Sequence, residues 1–180
     1  PMPRLDVEPA ALIRCVNGRV MFVEVDEALV DQGVHIGPLA EDENGEARLG
    51  SVADDAGDYF TLLNDAFMDR PLLIDIPRGV VVDRPIVVTH HAAGAGGAAF
   101  PRLVVRVAEN AQADVMDLHT SEADDDILVC PVVELDVEAA GRLGYLKVQE
   151  QGAKTWQFGS VLARAERDAT ISAATAAFGG

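Results

Sequence analysis

The segment from Leu72 to His91, LLIDIPRGVVVDRPIVVTHH, limits the folds open to this chain more than any other. Its many β-branched residues predict strands, but Pro77, Gly79 and Pro85 interrupt them. Proline has no amide hydrogen to donate to a sheet, so it is excluded from central strands. The segment therefore predicts an architecture in which short apolar strands alternate with frequent corners.

A recurring unit follows this segment. The stretches RVAENAQADVMDL (106–118), DVEAAGRLGYLKV (136–148) and RAERDATISAATA (164–176) each combine a strand, a small or polar turn and a second strand. Their equivalent positions, such as Val107 and Val137, lie roughly 30 residues apart. A repeat of this length predicts a solenoid, in which each circuit lays its strands beside those of the previous one.

We therefore predict an all-β fold, a right-handed parallel β-helix (solenoid) with a short N-terminal hairpin and loop region and one helix. Strands are predicted at 72–76, 79–83, 85–90, 102–108, 113–119, 127–137, 142–149, 155–163 and 169–177. An antiparallel β-sandwich stays open as the alternative, because strands at intervals of about 8–12 residues serve both folds.

The N-terminal part has a different pattern. Asn17-Gly18 between two apolar runs predicts a β-hairpin, and residues 26–57 predict mostly loop with one short strand at 34–36. Residues 58–69, DYFTLLNDAFMD, predict a helix that Asp58 caps and Pro71 ends.

The predicted domain division follows these patterns. It assigns 1–57 to an N-terminal hairpin and acidic loop region, 58–71 to the helix leading into the solenoid, and 72–180 to the β-helix core. We expect this core to be truncated at the C-terminus.

Charge and cysteine content exclude several functions. The net charge of −16 argues against nucleic acid as a partner, because an acidic surface repels phosphates. No apolar run approaches the length of a membrane span. Cys15 and Cys130 are the two cysteines, and their isolation suits a reducing cytoplasm. We expect Cys130 to be buried as a small hydrophobic residue.

Histidines offer weak candidates for metal binding. His90 and His91 are adjacent in a predicted strand and should point to opposite faces, so they are not expected to share one metal ion. His119 ends another predicted strand, His35 lies in a predicted loop region, and neither has a recognisable partner. We therefore predict no metal site.

The glycine-rich loop 92–100 leads to a strand rather than a helix, so it does not match a phosphate-binding loop. No catalytic residues are recognisable in the sequence.

Four segments in order, LLNDAF (62–67), IDIPRGVVVDRPIVV (74–88), FPRLVVRVAENAQADVMDL (100–118) and CPVVELDVEAAGRLGYLKVQ (130–149), resemble the SufB/SufD family of iron–sulfur cluster assembly scaffolds. The SufB branch typically continues from its Tyr-x-x-x-Gln strand into Asn-Trp. Here Gln149 is followed by Glu150 and Gln151, which favours a SufD-like member.

The resemblance implies a function. A SufD-like protein is a non-catalytic scaffold subunit of a complex with a SufB-like subunit and a SufC-like ATPase, so this chain is not expected to be an enzyme. It is expected to hold no cofactor of its own, and an iron–sulfur cluster would belong to the full complex.

Glu134 and Gln149 are the candidate site residues, because both match positions of family signatures. Glu134 alternates with the apolar Val133 and Leu135, which should share the opposite face of their strand. The functional interpretation is a polar lining of a path for sulfur or iron through the β-helix. The structural interpretation is a stabilising hydrogen bond or a solvated face.

Two further functions stay open. One is a SufB-like cluster scaffold. The other is a β-helix polysaccharide lyase or hydrolase, for which Asp114, Asp117, Glu134 and Asp136 are the candidate carboxylates. Independently of these, exposed strand edges at the C-terminal end predict a homodimer.

Overall fold

The structure is a computed structural model that describes residues 8–52 and 58–179. Half of the chain is strand, and the parallel sheets stack as a β-solenoid of about 4 turns. This confirms the predicted solenoid over the antiparallel sandwich. The strands are β1 (Ala11–Val16), β2 (Arg19–Val25), β3 (His35–Pro38), β4 (Leu72–Ile76), β5 (Ile86–Ala92), β6 (Ala98–Ala99), β7 (Arg102–Val107), β8 (Gln112–Ser121), β9 (Ile127–Val129), β10 (Val132–Val137), β11 (Arg142–Glu150), β12 (Thr155–Gln157), β13 (Ser160–Ala165) and β14 (Thr170–Ala177).

Three sheets form the walls of the solenoid. Their strand orders are β14-β11-β8-β5-β1-β2, β13-β10-β7-β4-β3 and β12-β9-β6. Successive turns pair in parallel, as between β7 and β10 and between β8 and β11. Each full turn therefore contributes one strand to every wall.

The repeat seen in the sequence is the rung of the solenoid. Val107 is the register partner of Val137, and Val137 is the partner of Ala165. These positions are the ones that the sequence repeat equates. Val107 and Val137 point into the apolar interior together with Val105 and Leu135, so one row of the core is stacked from turn to turn.

The N-terminal hairpin covers one end of the solenoid. Strands β1 and β2 pair antiparallel across Asn17-Gly18, whose φ angles of 50° and 81° require residues that tolerate the left-handed region. Strand β1 then pairs in parallel with β5, and β3 pairs antiparallel with β4. The predicted hairpin is confirmed as the end of one solenoid wall, and β3 forms the end of a second wall.

The predicted helix is α3 in the structure, which contains three α-helices and one 3-10 turn in its described residues. They are α1 (Glu27–Asp31), the 3-10 turn Leu39–Glu41, α2 (Gly45–Arg48) and α3 (Tyr59–Phe67). Asp58 caps α3 by accepting hydrogen bonds from the backbone N–H groups of Phe60 and Thr61, at 2.9 and 2.7 Å. The expectation of a single helix was wrong for 26–57, because helices of four or five residues leave no periodic pattern.

Several strand boundaries differ from the prediction. The segment 79–83 is no strand, because Gly79 has φ +73° and only Val81 forms an isolated bridge to the next turn. The segments 127–137 and 155–163 each split into two strands at a corner. The loop 92–100, predicted to be irregular, contains the short strand β6.

Pro131 and Gly159 explain one of these corners. A Cβ atom on Gly159 would lie 2.2 Å from the backbone oxygen of Pro131. The chain therefore passes over the preceding corner so closely that only glycine fits there.

Candidate functional site

A polar cluster lies inside the solenoid, on the wall formed by β5 and β8. His90 of β5 and His119 of β8 are direct register partners. Asp117 precedes His119 by two residues and therefore points to the same inner face as the core residue Val115. Fold topology thus brings His90 next to Asp117 and His119, which makes three potential metal ligands neighbours.

The three side chains are close and nearly excluded from solvent. His119 Nε2 lies 3.0 Å from Asp117 Oδ2, and His90 Nε2 lies 3.5 Å from Asp117 Oδ1. The two imidazole rings stack with their centroids 4.9 Å apart. The exposed fractions of these side chains are 7% for His90, 0% for Asp117 and 1% for His119.

Tyr145 of β11 completes the surroundings of the carboxylate. Its hydroxyl donates a 2.6 Å hydrogen bond to Asp117 Oδ2. Burial raises the pKa of Tyr145, and the charge of Asp117 raises it further, so the phenol stays protonated and remains a donor.

The electrostatics keep the aspartate ionised and His90 neutral. Burial alone would raise the pKa of Asp117, but His119, His90 and the Tyr145 hydroxyl hold it below its usual range. Burial lowers the pKa of His90 to about 4, which outweighs the attraction of Asp117. At neutral pH the cluster therefore presents a carboxylate and an uncharged imidazole.

Two other polar groups lie on neighbouring strands of the same wall. Cys15 of β1 is the register partner of His90, and burial with the charge of Asp117 raises its pKa to about 12. Lys147 of β11 is the register partner of Asp117, and burial lowers its pKa. The inner wall therefore carries a polar tract that crosses from β1 to β11.

Gln149, one of the two predicted site residues, belongs to this tract. It is the register partner of His119, and its side-chain oxygen accepts a 3.3 Å hydrogen bond from Gln157 Nε2. It is half-buried. The structure thus places Gln149 next in line after His90 and His119, toward the C-terminal turn.

Glu134, the other predicted residue, lies elsewhere. Val133 and Leu135 face the core as predicted, and Glu134 points to the outer face of β10. It is nonetheless 0% exposed, because residues 49–52 and α3 cover that face. Gly50 and Val52 donate backbone N–H groups to its two oxygens, at 3.0 and 3.1 Å.

A buried arginine holds Glu134 in place. Arg102 donates from Nε and Nη2 to Glu134 Oε1, and from Nη1 to Asn64 Oδ1 and Asp65 Oδ1. Asn64 donates in turn to the carbonyl oxygens of Pro101 and Cys130, both at 2.8 Å. This network, the Arg102–Glu134 anchor, attaches α3 and the N-terminal segment to the outside of the solenoid. It does not line the interior.

The remaining candidates are separate from the polar tract. Cys130 is a free, fully buried cysteine whose pKa is raised by burial, as expected of a small hydrophobic residue. His91 points away from His90 and contacts Thr120 and Glu122 on the outer face. His35 lies in β3, which corresponds to the short strand predicted at 34–36 within the loop region.

The four carboxylates considered for a lyase do not converge. Asp117 is inside the solenoid, and Asp114 is exposed. Glu134 is held by Arg102, and Asp136 forms an ion pair with Arg164 at 2.7 Å.

The sequence contained a signal for the cluster that the prediction did not use. Extension of the repeat of roughly 30 residues back from β8 to β5 places His90 opposite His119. The Asp-x-His spacing at 117–119 then puts the carboxylate on the same strand face.

Comparison with known proteins identifies the family. The chain matches the family described as SUF system FeS cluster assembly, SufBD core domain, over residues 89–180. No curated protein matches the chain. In the described residues, no helix has the length and apolar character needed to cross a membrane. The match covers half of the chain and most of the solenoid, from the end of β5 onward, and we conclude that this chain belongs to the SufBD core family of the SUF iron–sulfur cluster assembly system.

Proposed function

We propose that the chain acts as a SufD-like, non-catalytic scaffold subunit in iron–sulfur cluster assembly. The observation that carries this proposal is the family match over 89–180, which coincides with the stacked turns of the solenoid. The iron–sulfur cluster is the cargo of the complex, not a resident cofactor of this chain.

The residues after β11 support a SufD-like rather than a SufB-like role. Gln149 is followed by Glu150 and Gln151, where SufB proteins typically carry Asn-Trp. The only tryptophan is Trp156, which lies on β12 and is 62% exposed. A SufB-like aromatic side chain next to Gln149 is therefore missing from the sequence.

The surface supports a scaffold that works through partners. Strands β12, β13 and β14 are each the outermost strand of their sheet, so their free edges can extend by pairing. We propose a SufB-like subunit and a SufC-like ATPase as the partners, in the cytoplasm. The net charge of −16 disfavours nucleic acid.

The deciding experiment is co-purification of the complete native protein with SufB-like and SufC-like subunits from the same source. A tagged copy is expected to retain both partners in fixed ratio. Cluster formation is started by adding iron, sulfide and a thiol, and it is followed by visible absorbance. We expect the complex to form a cluster and the tagged protein alone to form none.

Other results would reject this role. Cluster formation by the isolated protein would support the SufB-like alternative. Turnover of acidic polysaccharides by the isolated protein would support the lyase alternative. Failure to retain either partner would overturn the proposed complex.

A further inference from the structure

We propose that His90, Asp117 and His119 form a binding site for a divalent first-row transition metal ion inside the β-solenoid. This inference goes beyond the proposed scaffold role and does not depend on it. A SufD-like protein, a SufB-like protein or an enzyme would carry the same site.

The distances between the donor atoms fit a shared ion. One ligand atom from each residue lies within 4.8 Å of those of the other two. For metal–nitrogen and metal–oxygen bonds of about 2.1 Å at tetrahedral or octahedral angles, neighbouring ligand atoms are about 3.0–3.4 Å apart. The observed separations are close to that range, at 3.0 Å from His119 Nε2 to Asp117 Oδ2 and 3.5 Å from His90 Nε2 to Asp117 Oδ1, so small side-chain shifts would let both histidines share one ion with the carboxylate.

The hydrogen bonding of the cluster is incomplete. Among the described residues, Asp117 Oδ1, His90 Nδ1 and His119 Nδ1 are buried without a hydrogen-bond partner. An unpaired buried polar atom costs about 1–3 kcal/mol. Coordination of an ion by Asp117 Oδ1 removes one of these deficits.

The charge balance also favours a cation. Asp117 is a fully buried anion whose ion-pair contacts, in the described part of the chain, are the two histidines.

The donor types define the class of metal. Two imidazole nitrogens and one carboxylate oxygen suit Fe²⁺, Co²⁺ or Zn²⁺, whereas Ca²⁺ and Mg²⁺ prefer ligand sets made of oxygen. The register row through His90 and His119 continues to Gln149 and then to the exposed Ala177. Gln149 is therefore the polar side chain of this row that lies between the cluster and the C-terminal turn.

The test is titration of the metal-free 180-residue chain with Co²⁺, followed by displacement with Zn²⁺ and, under anaerobic conditions, with Fe²⁺. We expect one Co²⁺ per chain with visible absorbance, displacement by both metals, and a rise in Tm that depends on metal concentration. Absence of stoichiometric binding, or binding of only Ca²⁺ or Mg²⁺, would overturn the proposal.

The adjacent histidine provides a matched control. The variants His90→Gln, His119→Gln and Asp117→Asn are each expected to weaken Co²⁺ binding at least about 10-fold, as loss of ligand-supporting groups already does. His91→Gln removes an imidazole from the opposite face of the same strand, and it is expected to bind as the wild type does. Equal affinity of His90→Gln and wild type would contradict the proposal.

A second measurement needs no variant at the site. In the ¹⁵N-histidine spectrum of the wild-type chain, Zn²⁺ is expected to shift the ring nitrogens of two of the four histidines. Assignment uses His35→Gln and His91→Gln, which alter side chains outside the cluster. Shifts confined to His35 and His91 would place the metal elsewhere and end the proposal, even if the cluster variants fail to fold.

Discussion

Arg102 donates two hydrogen bonds to one carboxylate oxygen of Glu134, at 3.0 and 2.6 Å, and neither side chain is more than 1% exposed. Arg102 lies at the start of β7 and Glu134 in the middle of β10, so the pair joins two successive turns. It also joins these turns to α3 through Asn64 and to the N-terminal segment through Gly50. One buried ion pair therefore connects three parts of the chain.

Removal of one partner of this pair is expected to destabilise the protein strongly. Glu134→Gln leaves the buried Arg102 guanidinium with only the half-exposed Asp65 carboxylate as a counter-charge, and removal of one partner costs about 3–5 kcal/mol in comparable buried pairs. Urea denaturation followed by circular dichroism measures the free energy of unfolding. The matched control is Arg78→Met, which breaks an exposed ion pair with Glu109 that also bridges two turns. That exposed pair is expected to contribute at most about 1 kcal/mol.

The double variant Arg102→Met/Glu134→Leu separates charge from packing. Because no isolated charge is left, it is expected to be more stable than either single variant. A double variant that loses as much as the sum of the single variants would show that the pair acts through packing alone.

The solenoid was predictable because its physical cause is visible in the sequence. Corners need glycine, proline or residues that accept positive φ, and Asn110, Ala140 and Asp168 all have positive φ at equivalent corners. The apolar rows between them, such as Val107 and Val137, repeat at the same interval. Local sequence therefore specified both the turn and the strand of each rung.

The candidate site was only partly predictable, because it depends on which face is covered. Alternation placed Glu134 opposite Leu135, but no local pattern shows that residues 49–52 bury it from outside. Similarly, Asp117 looks like an ordinary polar residue of a half-exposed strand until β5 places His90 beside it. Contacts between segments that are distant in the sequence determine the burial of Glu134 and the surroundings of Asp117, and local sequence patterns do not show these contacts.

The corner at Gly159 is expected to reject any side chain. Gly159→Ala would place a methyl group against the backbone of Pro131, which cannot move without displacing the preceding turn. Overpacking of this kind costs about 1–3 kcal/mol, and thermal unfolding by calorimetry measures this loss of stability.

The matched control is Gly144→Ala, whose Cβ would lie 2.1 Å from the Asp114 side chain. That side chain can rotate away, so the control is expected to be near neutral. Equal losses in both variants would contradict this account of the corner.

The cap of α3 is expected to make stability depend on pH. Hydrogen bonds from the backbone N–H of Thr61 and from the Ser160 hydroxyl lower the pKa of Asp58 below its usual value of 3.8. Its stabilisation is therefore complete above about pH 4–5 and is lost as the pH falls through the lowered folded-state pKa. Asp58→Ala is expected to cost about 0.5–2 kcal/mol at pH 7, and less in acid.

Carboxyl ¹³C titration by NMR checks this directly. Asp58 should titrate below 3.8, the usual value for an aspartate. A variant Glu43→Gln should leave stability unchanged at both pH values. An Asp58 that titrates at or above 3.8 would argue against the capping hydrogen bonds.

The open edges of the last turn are expected to make the 180-residue chain self-associate. Strands β12, β13 and β14 each pair on one side only among the described residues, and their free donors and acceptors can pair with a second copy. Sedimentation velocity should show a dimer whose fraction increases with protein concentration.

Ala173→Lys places a charge on the inner row above Tyr145, where a second copy would stack, and should favour the monomer. Ala174→Lys adds the same charge on the outer row, beside Leu146, and should leave association intact. A wild-type chain that stays monomeric at high concentration, or two lysine variants that behave alike, would show that these edges are not the contact surface.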